Sequence, residues 1–397
     1  MDAERARVNT TFELLRSMLS TPRPSGSQAL KEAVAGLRAW PEGEGAPVRA
    51  HPFTLYPYFM EVLGAWMAVT GVLLPIAALG RWGWGGLVVA LLSPIVPFLA
   101  VRYLWPTVAA VIWQRAENLV LSFPGTQLEQ EVILAAHLDS KTEFLDHHQR
   151  SFLMRRSSLA MGLTVGCGVL IALERFLPAP GATIVRWLAF AMGLAVAAYG
   201  LTMGLNLIGG RFSRRPSVGV VDDGASVAVL AVLARRLARR ELRLERTTVT
   251  ILLTVGEEAQ MQGALAYVRD RRDWPPLVYA INLEGLGQNA GYVLWDADGT
   301  SMVGVPVDRK LSQIVERAVE AVTGEPPAHD PKITSDAYAF IRHGLPTVTL
   351  GGLDREWGWR GWHGPLDNLR RVDPDRLQEA GNVLNRILLD LDDRTRG

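Results

Sequence analysis

Four apolar runs limit most strongly what this chain can fold into, because each is close to the length that crosses a lipid bilayer. They occupy residues 59–80, 83–101, 158–173 and 187–208 of the 397-residue sequence. A helix needs about 20 apolar residues to span roughly 30 Å of hydrocarbon. The runs form two pairs, joined at Arg81-Trp82 and at a turn around 178–181. The sequence therefore predicts two transmembrane hairpins; buried core helices are the alternative.

Arginine placement predicts the orientation of these hairpins. Two hairpins return the chain to its starting side, so residues 1–58, 105–156 and 211–397 share one compartment. That side carries Arg49, Arg102, Arg115, Arg150, Arg155, Arg156, Arg211, Arg214 and Arg215 near the runs, against Arg81, Arg175 and Arg186 opposite. Membrane proteins keep basic residues on the cytoplasmic side, and no secretory signal is recognisable at the start of the sequence. We expect a multi-pass protein of the cell (inner) membrane with its globular part in the cytoplasm.

Composition argues against two classes of function. The chain is 49% apolar and 20% charged, with a formal net charge of +1 and scattered basic residues, so no electrostatic footprint for nucleic acid is present. The four runs contain almost no ionisable side chains, which commonly mark transport paths. Anchoring is therefore predicted in preference to transport. The sole cysteine, Cys167, lies in the third run, so no intrachain disulfide can form.

Outside the runs the hydrophobic pattern alternates between strand and helix periods. Strands are predicted at 47–55, 118–123, 131–136, 248–253, 277–283, 292–295 and 346–350, and helices at 3–19, 28–40, 222–240, 261–271, 307–322, 336–343 and 374–391. This alternation predicts an α/β fold, with a mixed, mostly parallel sheet covered by helices on both faces. The hairpins, 59–104 and 157–210, then divide the globular domain into 1–58, 105–156 and 211–397.

Two adjacent carboxylates, Glu257 and Glu258, follow the predicted strand 248–253. Such neighbours repel, and a divalent metal would hold them, with one carboxylate as ligand and the other free to move protons. A solvated pair at a helix N-terminus is the simpler alternative. His137 and Glu284 also follow strands, and function in such sheets gathers beyond the carboxyl ends of the strands.

Five potential metal ligands occupy strand ends or tight loops. They are His137, Asp222, Glu258, Glu284 and His363. This set suits two zinc ions, each with one imidazole and one carboxylate, and a fifth carboxylate between them. Asp139 is expected to accept the other N–H of the His137 ring. Taken singly, each has a simpler explanation, such as a helix N-cap for Asp222-Asp223.

A series of motifs carries a family resemblance. They are His137-x-Asp139, Asp222-Asp223-x-Ala-Ser226, Gly256-Glu257-Glu258, Asn282-Leu283-Glu284, Ser335-Asp336 and Trp362-His363-x-Pro-x-Asp367, with similar N-terminal segments at 22–27 and 118–125. In this order they resemble the co-catalytic di-zinc aminopeptidase family, which includes bacterial leucyl aminopeptidases, glutamate carboxypeptidase, glutaminyl cyclase and the transferrin receptor. The resemblance covers nearly all of the chain outside the hairpins and implies a zinc-exopeptidase-like fold.

The resemblance also implies a role for each residue. His137 and Glu284 would hold one zinc, Glu258 and His363 the other, with Asp222 between both. Glu257 becomes the general base, which takes a proton from the attacking water and returns it to the leaving amine. The peptide bond between Asp222 and Asp223 is cis in relatives.

The chain departs from the family pattern in three ways. Glu284 stands where Asp is more frequent, and Ala337 follows Ser335-Asp336 where His is common. The hairpins are the third departure. Because the second one leaves just after His137 and returns just before Asp222, we expect the membrane close to the site and peptides or protein N-termini as substrates there. Free cytoplasmic peptides fit equally well, and Trp357, Trp359 and Trp362 could line a pocket, meet lipid or pack in a loop.

The first prediction is thus a membrane-anchored di-zinc aminopeptidase. A glutaminyl cyclase, for which one zinc suffices, and a carboxypeptidase remain open on the same fold. A non-catalytic scaffold, as the transferrin receptor illustrates, is disfavoured because all five ligands and Glu257 are present. Substrate preference, native metal and oligomeric state stay open.

Overall fold

The computed structural model describes residues 2–42, 45–103, 112–289, 291–300, 303–354 and 358–394. The chain forms two compact units. The first comprises residues 1–57, 113–141 and 215–397, and the second comprises 58–112 and 142–214. This division differs from the predicted segments chiefly at 142–156, which pack within the second unit.

The first unit is built on two sheets. Their strands are β1 Val48–Leu55, β2 Gln114–Phe123, β3 Gln130–His137, β4 Thr247–Thr254, β5 Val278–Glu284, β6 Tyr292–Trp295, β7 Ala297–Gly299, β8 Gly304–Pro306, β9 Ala328–Asp330 and β10 Thr347–Gly352. Eight strands form the main sheet in the order β1-β2-β4-β3-β5-β10-β6-β9, and β7 pairs with β8. The central strands β4, β3, β5 and β10 are parallel, whereas β1, β2 and the β10–β6 pair run antiparallel. The predicted mixed, mostly parallel sheet is confirmed.

The twelve described helices follow in chain order. They are α1 Asp2–Met18, α2 Gln28–Glu42, α3 Phe59–Leu79, α4 Trp84–Tyr103, α5 His147–Met154, α6 Ser157–Leu173, α7 Ala179–Gly209, α8 Ala225–Ala238, α9 Gln262–Asp270, α10 Arg309–Thr323, α11 Ala337–Arg342 and α12 Pro374–Arg394. Those of the first unit cover both faces of the main sheet, as expected for strands that are buried throughout.

Side chains alternate between the two faces of the main sheet, so the hydrophobic core is divided into one cluster on each face. Leu134 and Ala136 of β3 join the large cluster with α1, α2, α8, α10 and α12, whereas Ile133 and Ala135 join the smaller cluster with α9 and α11. All eight residues of β3 and of β4 are buried. Neighbouring side chains point to opposite faces of a strand, so this burial fixes the register of the central strands. Their carboxyl ends therefore meet at one edge.

The second unit contains α3, α4, α5, α6 and α7. Four of these, α3, α4, α6 with the turn after it, and α7, are long and apolar enough to cross a membrane. α3 and α7 pack through glycines: a Cβ on Gly64 would lie 2.7 Å from the carbonyl oxygen of Gly204, and one on Gly200 would lie 2.6 Å from that of Met67. Small residues allow such close approach of helix backbones.

Two elements of the second unit differ from prediction. The fourth apolar helix begins at Ala179, not at Trp187, because a proline in the first turn gives up no intrahelical hydrogen bond. α5 was not predicted at all, although Asp146 and Gln149 form a capping box at its start. That Asp-x-x-Gln pattern was the available signal in a segment that otherwise reads as polar linker.

Candidate metal centre

Strand pairing brings the predicted site residues together. His137 ends β3 opposite Thr254, the last residue of β4, and Glu284 ends the neighbouring strand β5. The loop after β4 carries Glu257 and Glu258. These side chains therefore lie at one edge of the sheet, the place where parallel strands present their functional groups.

Two groups of potential ligands share Asp222. In the first, His137 Nε2 lies 3.1 Å from Asp222 Oδ1 and 3.7 Å from Glu284 Oε2. In the second, His363 Nε2 lies 3.0 Å from Asp222 Oδ2 and 3.1 Å from Glu258 Oε1. The ligand atoms within each group are all within 4.8 Å of one another. All five predicted ligands thus fall into two groups that have the predicted membership.

A tight turn between 219 and 224 presents Asp222. The peptide bond from Asp222 to Asp223 is cis, which confirms what the resemblance implied. The Asp223 carboxylate connects this turn to the ends of β5 and β3. Gly285 N–H donates to Asp223 Oδ1 at 3.0 Å, and His137 N–H donates to Asp223 Oδ2 at 3.4 Å. Gly219 has φ +65° and its Cα faces Ser140, so a side chain there would have no room.

The donor set fits zinc. Two imidazoles and three carboxylates supply the nitrogen and oxygen ligands that zinc accepts. Asp222 Oδ2 and Glu258 Oε1 are buried, and among the described residues no well-aligned hydrogen bond reaches either oxygen, although His363 Nε2 lies 3.0 and 3.1 Å away. Buried carboxylate oxygens carry a large desolvation cost unless they are paired or bind a metal. These two oxygens, from different segments and both facing His363, are what a cation in the second group would satisfy.

The electrostatics of the first group follow from crowded charge. Burial works to lower the pKa of His137, but contacts with Asp222 and Glu284 outweigh it and leave that pKa well above its ordinary value. Burial also works to raise the pKa of Asp222, yet His137 and His363 hold it far below the usual range. Asp222 is therefore an ionised carboxylate facing two imidazoles.

Glu257 directly precedes Glu258 of the second group, and its main chain forms a turn with two hydrogen bonds. Its carbonyl oxygen accepts the N–H groups of Gln260 and Met261 at 2.8 and 2.7 Å. Burial raises the pKa of Glu257 well above its ordinary value, and the neighbouring Glu258 adds to the rise. A carboxyl with a raised pKa near a metal group is suited to proton transfer.

Asp139 lies where predicted but uses different atoms. His137 Nδ1 forms a hydrogen bond with the main-chain carbonyl oxygen of Asp139 at 2.9 Å. The carboxylate Oδ1 of Asp139 is 3.8 Å from the same nitrogen. The carboxylate instead accepts the N–H groups of Gly256, Glu257 and Glu258 at 2.9, 3.2 and 3.2 Å. The predicted carboxylate–imidazole bond is wrong in this respect, because the two-residue turn aims the carbonyl at the ring. Asp139 thus fixes the loop that carries Glu257 and Glu258.

The loop that carries His363 is attached to the Asp222 turn by Asp367. Val221 N–H donates to Asp367 Oδ1 at 2.6 Å and the Ser217 hydroxyl to Oδ2 at 2.9 Å. Burial is the largest cause, and the charge of Asp222 the second, of a pKa of Asp367 that is raised to about 7. His363 itself has φ +57°, an uncommon backbone conformation for its residue type.

Several supporting residues escaped sequence reasoning. Asn118 Oδ1 accepts the N–H of Val255 at 3.0 Å and its Nδ2 donates to the Gly263 carbonyl at 2.9 Å, which brackets the Glu257 loop. Asp336 accepts the Thr254 hydroxyl at the end of β4. Arg23 and Ser25 also reach this region. Their membership of motifs was visible, but the strand ends and loops that they contact around the site are more than 80 residues away in the sequence.

The three tryptophans for which a pocket, a lipid contact or loop packing was expected are only partly within the described residues. Trp357 lies outside the described residues, as does the side chain of Trp359. The Trp362 ring packs against Gly285, where a Cβ would lie 2.7 Å from it. Ala337 is fully buried at the start of α11, so the histidine common in relatives is replaced by a side chain that faces the core.

Comparison with known proteins agrees with this geometry. A family model, described as Peptidase family M28, matches residues 207–388. The fold is similar to that of a Bacteroides thetaiotaomicron glutaminyl cyclase bound to N-acetylhistamine (TM-score 0.57, 13% identity, 96% of this chain and 97% of that chain). A leucine aminopeptidase precursor from Bacteroides thetaiotaomicron VPI-5482 gives a TM-score of 0.56 at 12% identity, covering 96% of both chains.

A Zn-dependent exopeptidase from Parabacteroides distasonis ATCC 8503 gives a TM-score of 0.55 at 14% identity, covering 96% of this chain and 97% of that chain. No curated protein matches the sequence. The chain has a mixed α/β fold like that of the zinc exopeptidases. The family match at 207–388 is to Peptidase family M28, so the resemblance drawn from the motifs to the di-zinc aminopeptidase and glutaminyl cyclase family is confirmed.

Proposed function

We propose that this protein is a membrane-anchored di-zinc aminopeptidase that hydrolyses N-terminal peptide bonds. One observation carries the proposal: two groups of potential ligands share Asp222, and Glu257 directly precedes a ligand of the second group. A zinc peptidase needs metal ligands and a base within reach of one water molecule. The proposal is supported by the position of the potential ligands and Glu257 at one edge of the sheet.

Each residue has a role in this proposal. His137 and Glu284 would hold one zinc, Glu258 and His363 the other, and Asp222 both. When bound, zinc lowers the pKa of water and polarises a carbonyl group. Glu257 takes the proton from the attacking water and later gives it to the leaving amine. Asp139 keeps Glu257 in place by accepting the N–H groups of its loop.

The membrane part of the proposal rests on the four apolar helices. Their lengths are 21, 20, 20 and 31 residues, and each contains an 18-residue stretch of mean hydropathy 1.6 or more. We propose that they anchor the enzyme in the cell membrane with the catalytic unit in the cytoplasm. Peptides or protein N-termini would be the substrates, and the lipid bilayer would be the partner of the four spans.

Glutaminyl cyclase is the second candidate, because several solved structures with this fold are glutaminyl cyclases from bacteria. Cyclisation of N-terminal Gln would then replace hydrolysis, and one zinc would suffice. The presence of five ligands in two groups favours the two-metal peptidase. Carboxypeptidase activity and a non-catalytic membrane scaffold are weaker candidates on the same fold.

Metal analysis paired with activity tests the proposal. The protein is purified in detergent, bound zinc is counted, and aminoacyl-anilides are compared with peptides that begin with Gln. Glu257→Gln is expected to lower hydrolysis by about 10²–10⁴-fold, because it removes the general base, while zinc stays bound. Glu320→Gln, on the exposed face of α10, is the matched control and should behave as the wild type.

Each outcome decides between the candidates. About two zinc ions per chain with hydrolysis that requires Glu257 would establish the aminopeptidase. Cyclisation without hydrolysis would establish the cyclase instead. Absence of bound zinc from active-site variants and wild type alike would refute catalysis and favour the scaffold.

A further inference from the structure

Residues 21–27, here called the N-terminal strap, join α1 to α2 and carry the sequence Thr-Pro-Arg-Pro-Ser-Gly-Ser. Arg23 has no exposed surface, and its guanidinium donates to five main-chain carbonyl oxygens. Two of them belong to Leu138, directly after His137, and to Gly219, at the start of the Asp222 turn, both at 2.8 Å. Arg23 therefore fixes the strap to the two segments that present His137 and Asp222.

Ser25 connects the same strap to the general-base loop. Its hydroxyl donates to Asp139 Oδ2 at 2.5 Å, and both side chains are buried. The Asp139 carboxylate in turn accepts the N–H groups of Gly256, Glu257 and Glu258. Four donors from two distant segments thus converge on one carboxylate. Because such a group is buried away from water, a lost donor is not replaced by solvent.

We propose that Ser25 is a positioning residue: through Asp139 it places the main chain of 256–258, and so sets where Glu257 and Glu258 stand. Of the hydrogen bonds that Ser25 and Glu258 donate to Asp139 Oδ2, loss of the Ser25 hydroxyl leaves only the longer one, from the N–H of Glu258 at 3.2 Å. The carboxylate then gains rotational freedom, and the main chain of 256–258 that it holds is no longer fixed in one position.

The inference has an asymmetric consequence. Glu258 belongs to the second ligand group, whereas His137 and Glu284 of the first group end strands β3 and β5 and are held by the sheet. Loss of the Ser25 hydroxyl should therefore weaken zinc in the group with Glu258 and His363 and spare the other. The effect on catalysis rests on the proposed function, but the effect on zinc does not.

The experiment uses the full chain in detergent, with zinc affinity measured by competition against a chromophoric chelator. Ser25→Ala is made in two backgrounds: His137→Ala, which leaves the second group intact, and His363→Ala, which leaves the first. In the His137→Ala background, Ser25→Ala is expected to lower zinc affinity about tenfold, the usual size for loss of a supporting hydrogen bond. In the His363→Ala background the affinity should change less than twofold.

In the otherwise native chain, Ser25→Ala should lower kcat by about tenfold with KM within twofold, and Ser25→Thr, which keeps a hydroxyl, should restore most of the loss. Ser27→Ala is the matched control, since it removes a hydroxyl of the same strap that caps α2 by accepting the Leu30 N–H at 3.2 Å. It should leave both zinc affinities unchanged.

Equal weakening of zinc in both backgrounds, or none in either, would overturn the positioning role. A wild-type chain that binds two zinc ions without turnover would refute the proposed function, yet the selective loss of zinc affinity would still support the role of Ser25. The two failures are therefore distinguishable.

Discussion

Asp222 is the residue that both ligand groups require. Its Oδ1 faces His137 and its Oδ2 faces His363, at 3.1 and 3.0 Å. One carboxylate can contact both ligand groups only if its two oxygens point to different imidazoles. The tight turn at 219–224 orients the Asp222 side chain in this way.

Asp222→Asn is accordingly expected to lose both zinc ions, because an amide offers one neutral oxygen in place of two charged ones. Glu284→Gln should lose one zinc and retain the other, since it belongs only to the first group. Metal analysis of both purified variants checks the difference. Loss of both ions from Glu284→Gln would contradict two separable groups.

At the scale of residues, the sequence was sufficient to identify the five potential ligands but not the contacts that support them. His137, Asp222, Glu258, Glu284 and His363 were recognisable because each ends a strand or occupies a motif with the right donor atoms. The partners of Asp139 were not, because a His-x-Asp spacing does not say whether the carbonyl or the carboxylate meets the ring. Local turn geometry decides that choice.

At the scale of elements, α12 is attached to the start of β4 by one carboxylate. Asp392 accepts the N–H groups of Glu245 and Arg246 at 2.9 and 2.8 Å. Burial works to raise the pKa of Asp392, but these donors outweigh it and hold the pKa below its ordinary value. The ionised form therefore stabilises the folded state.

The stability contributed by Asp392 is complete above the unfolded-state pKa of roughly 3.9 and is lost as the pH falls through the lower folded-state pKa. Asp392→Asn should lower the free energy of unfolding by about 1–2 kcal/mol at pH 7 and by less at pH 3. Denaturant unfolding at the two pH values measures this. Asp273→Asn, whose side chain is 88% exposed, is the control and should change little at either pH. A deficit that does not shrink at low pH would contradict the charge argument.

The pairing of α3 with α7 makes a second prediction for an element. Gly204→Leu places a side chain against the backbone of Gly64, where even a Cβ has no room. We expect it to lower stability by about 1–3 kcal/mol, the usual cost of overpacking. Gly162→Leu on α6 is the control, because nothing lies within 4 Å of a Cβ there. Thermal unfolding in detergent compares the two, and equal midpoints would contradict close packing of α3 on α7.

The buried strands at the centre of the sheet were predictable, and the three-residue strands were not. β6 was placed at its observed bounds, and the central strands to within one or two residues, because buried strands read as continuous apolar runs. The strands β7, β8 and β9 have three residues each, too few for a period to be visible. α7 was predicted too short because Pro180 reads as a turn residue unless its place in the first helical turn is known.

The whole molecule consists of a catalytic unit and a helical unit. The helical unit is made of two segments that are inserted into the sequence of the catalytic unit. The catalytic unit is interrupted between residues 57 and 113 and again between 141 and 215. Each interruption contains two of the four apolar helices. In the proposed membrane arrangement, two spans per insertion would return the chain each time to the compartment it left, so that one folded domain could be assembled from three separate segments.

This connectivity, with the arginine distribution, predicts which side each segment occupies. Ala179 is the first residue of α7, next to the turn after α6, and should face outward, whereas Gln127 lies between β2 and β3 and should face the cytoplasm; both are exposed. Ala179→Cys and Gln127→Cys, each made with Cys167→Ala, are treated with a membrane-impermeant maleimide. In intact cells the thiol at position 179 should react and that at 127 should not; after permeabilisation both should. Labelling at 127 in intact cells would put the catalytic unit outside and redirect the search for its substrates to extracytoplasmic peptides.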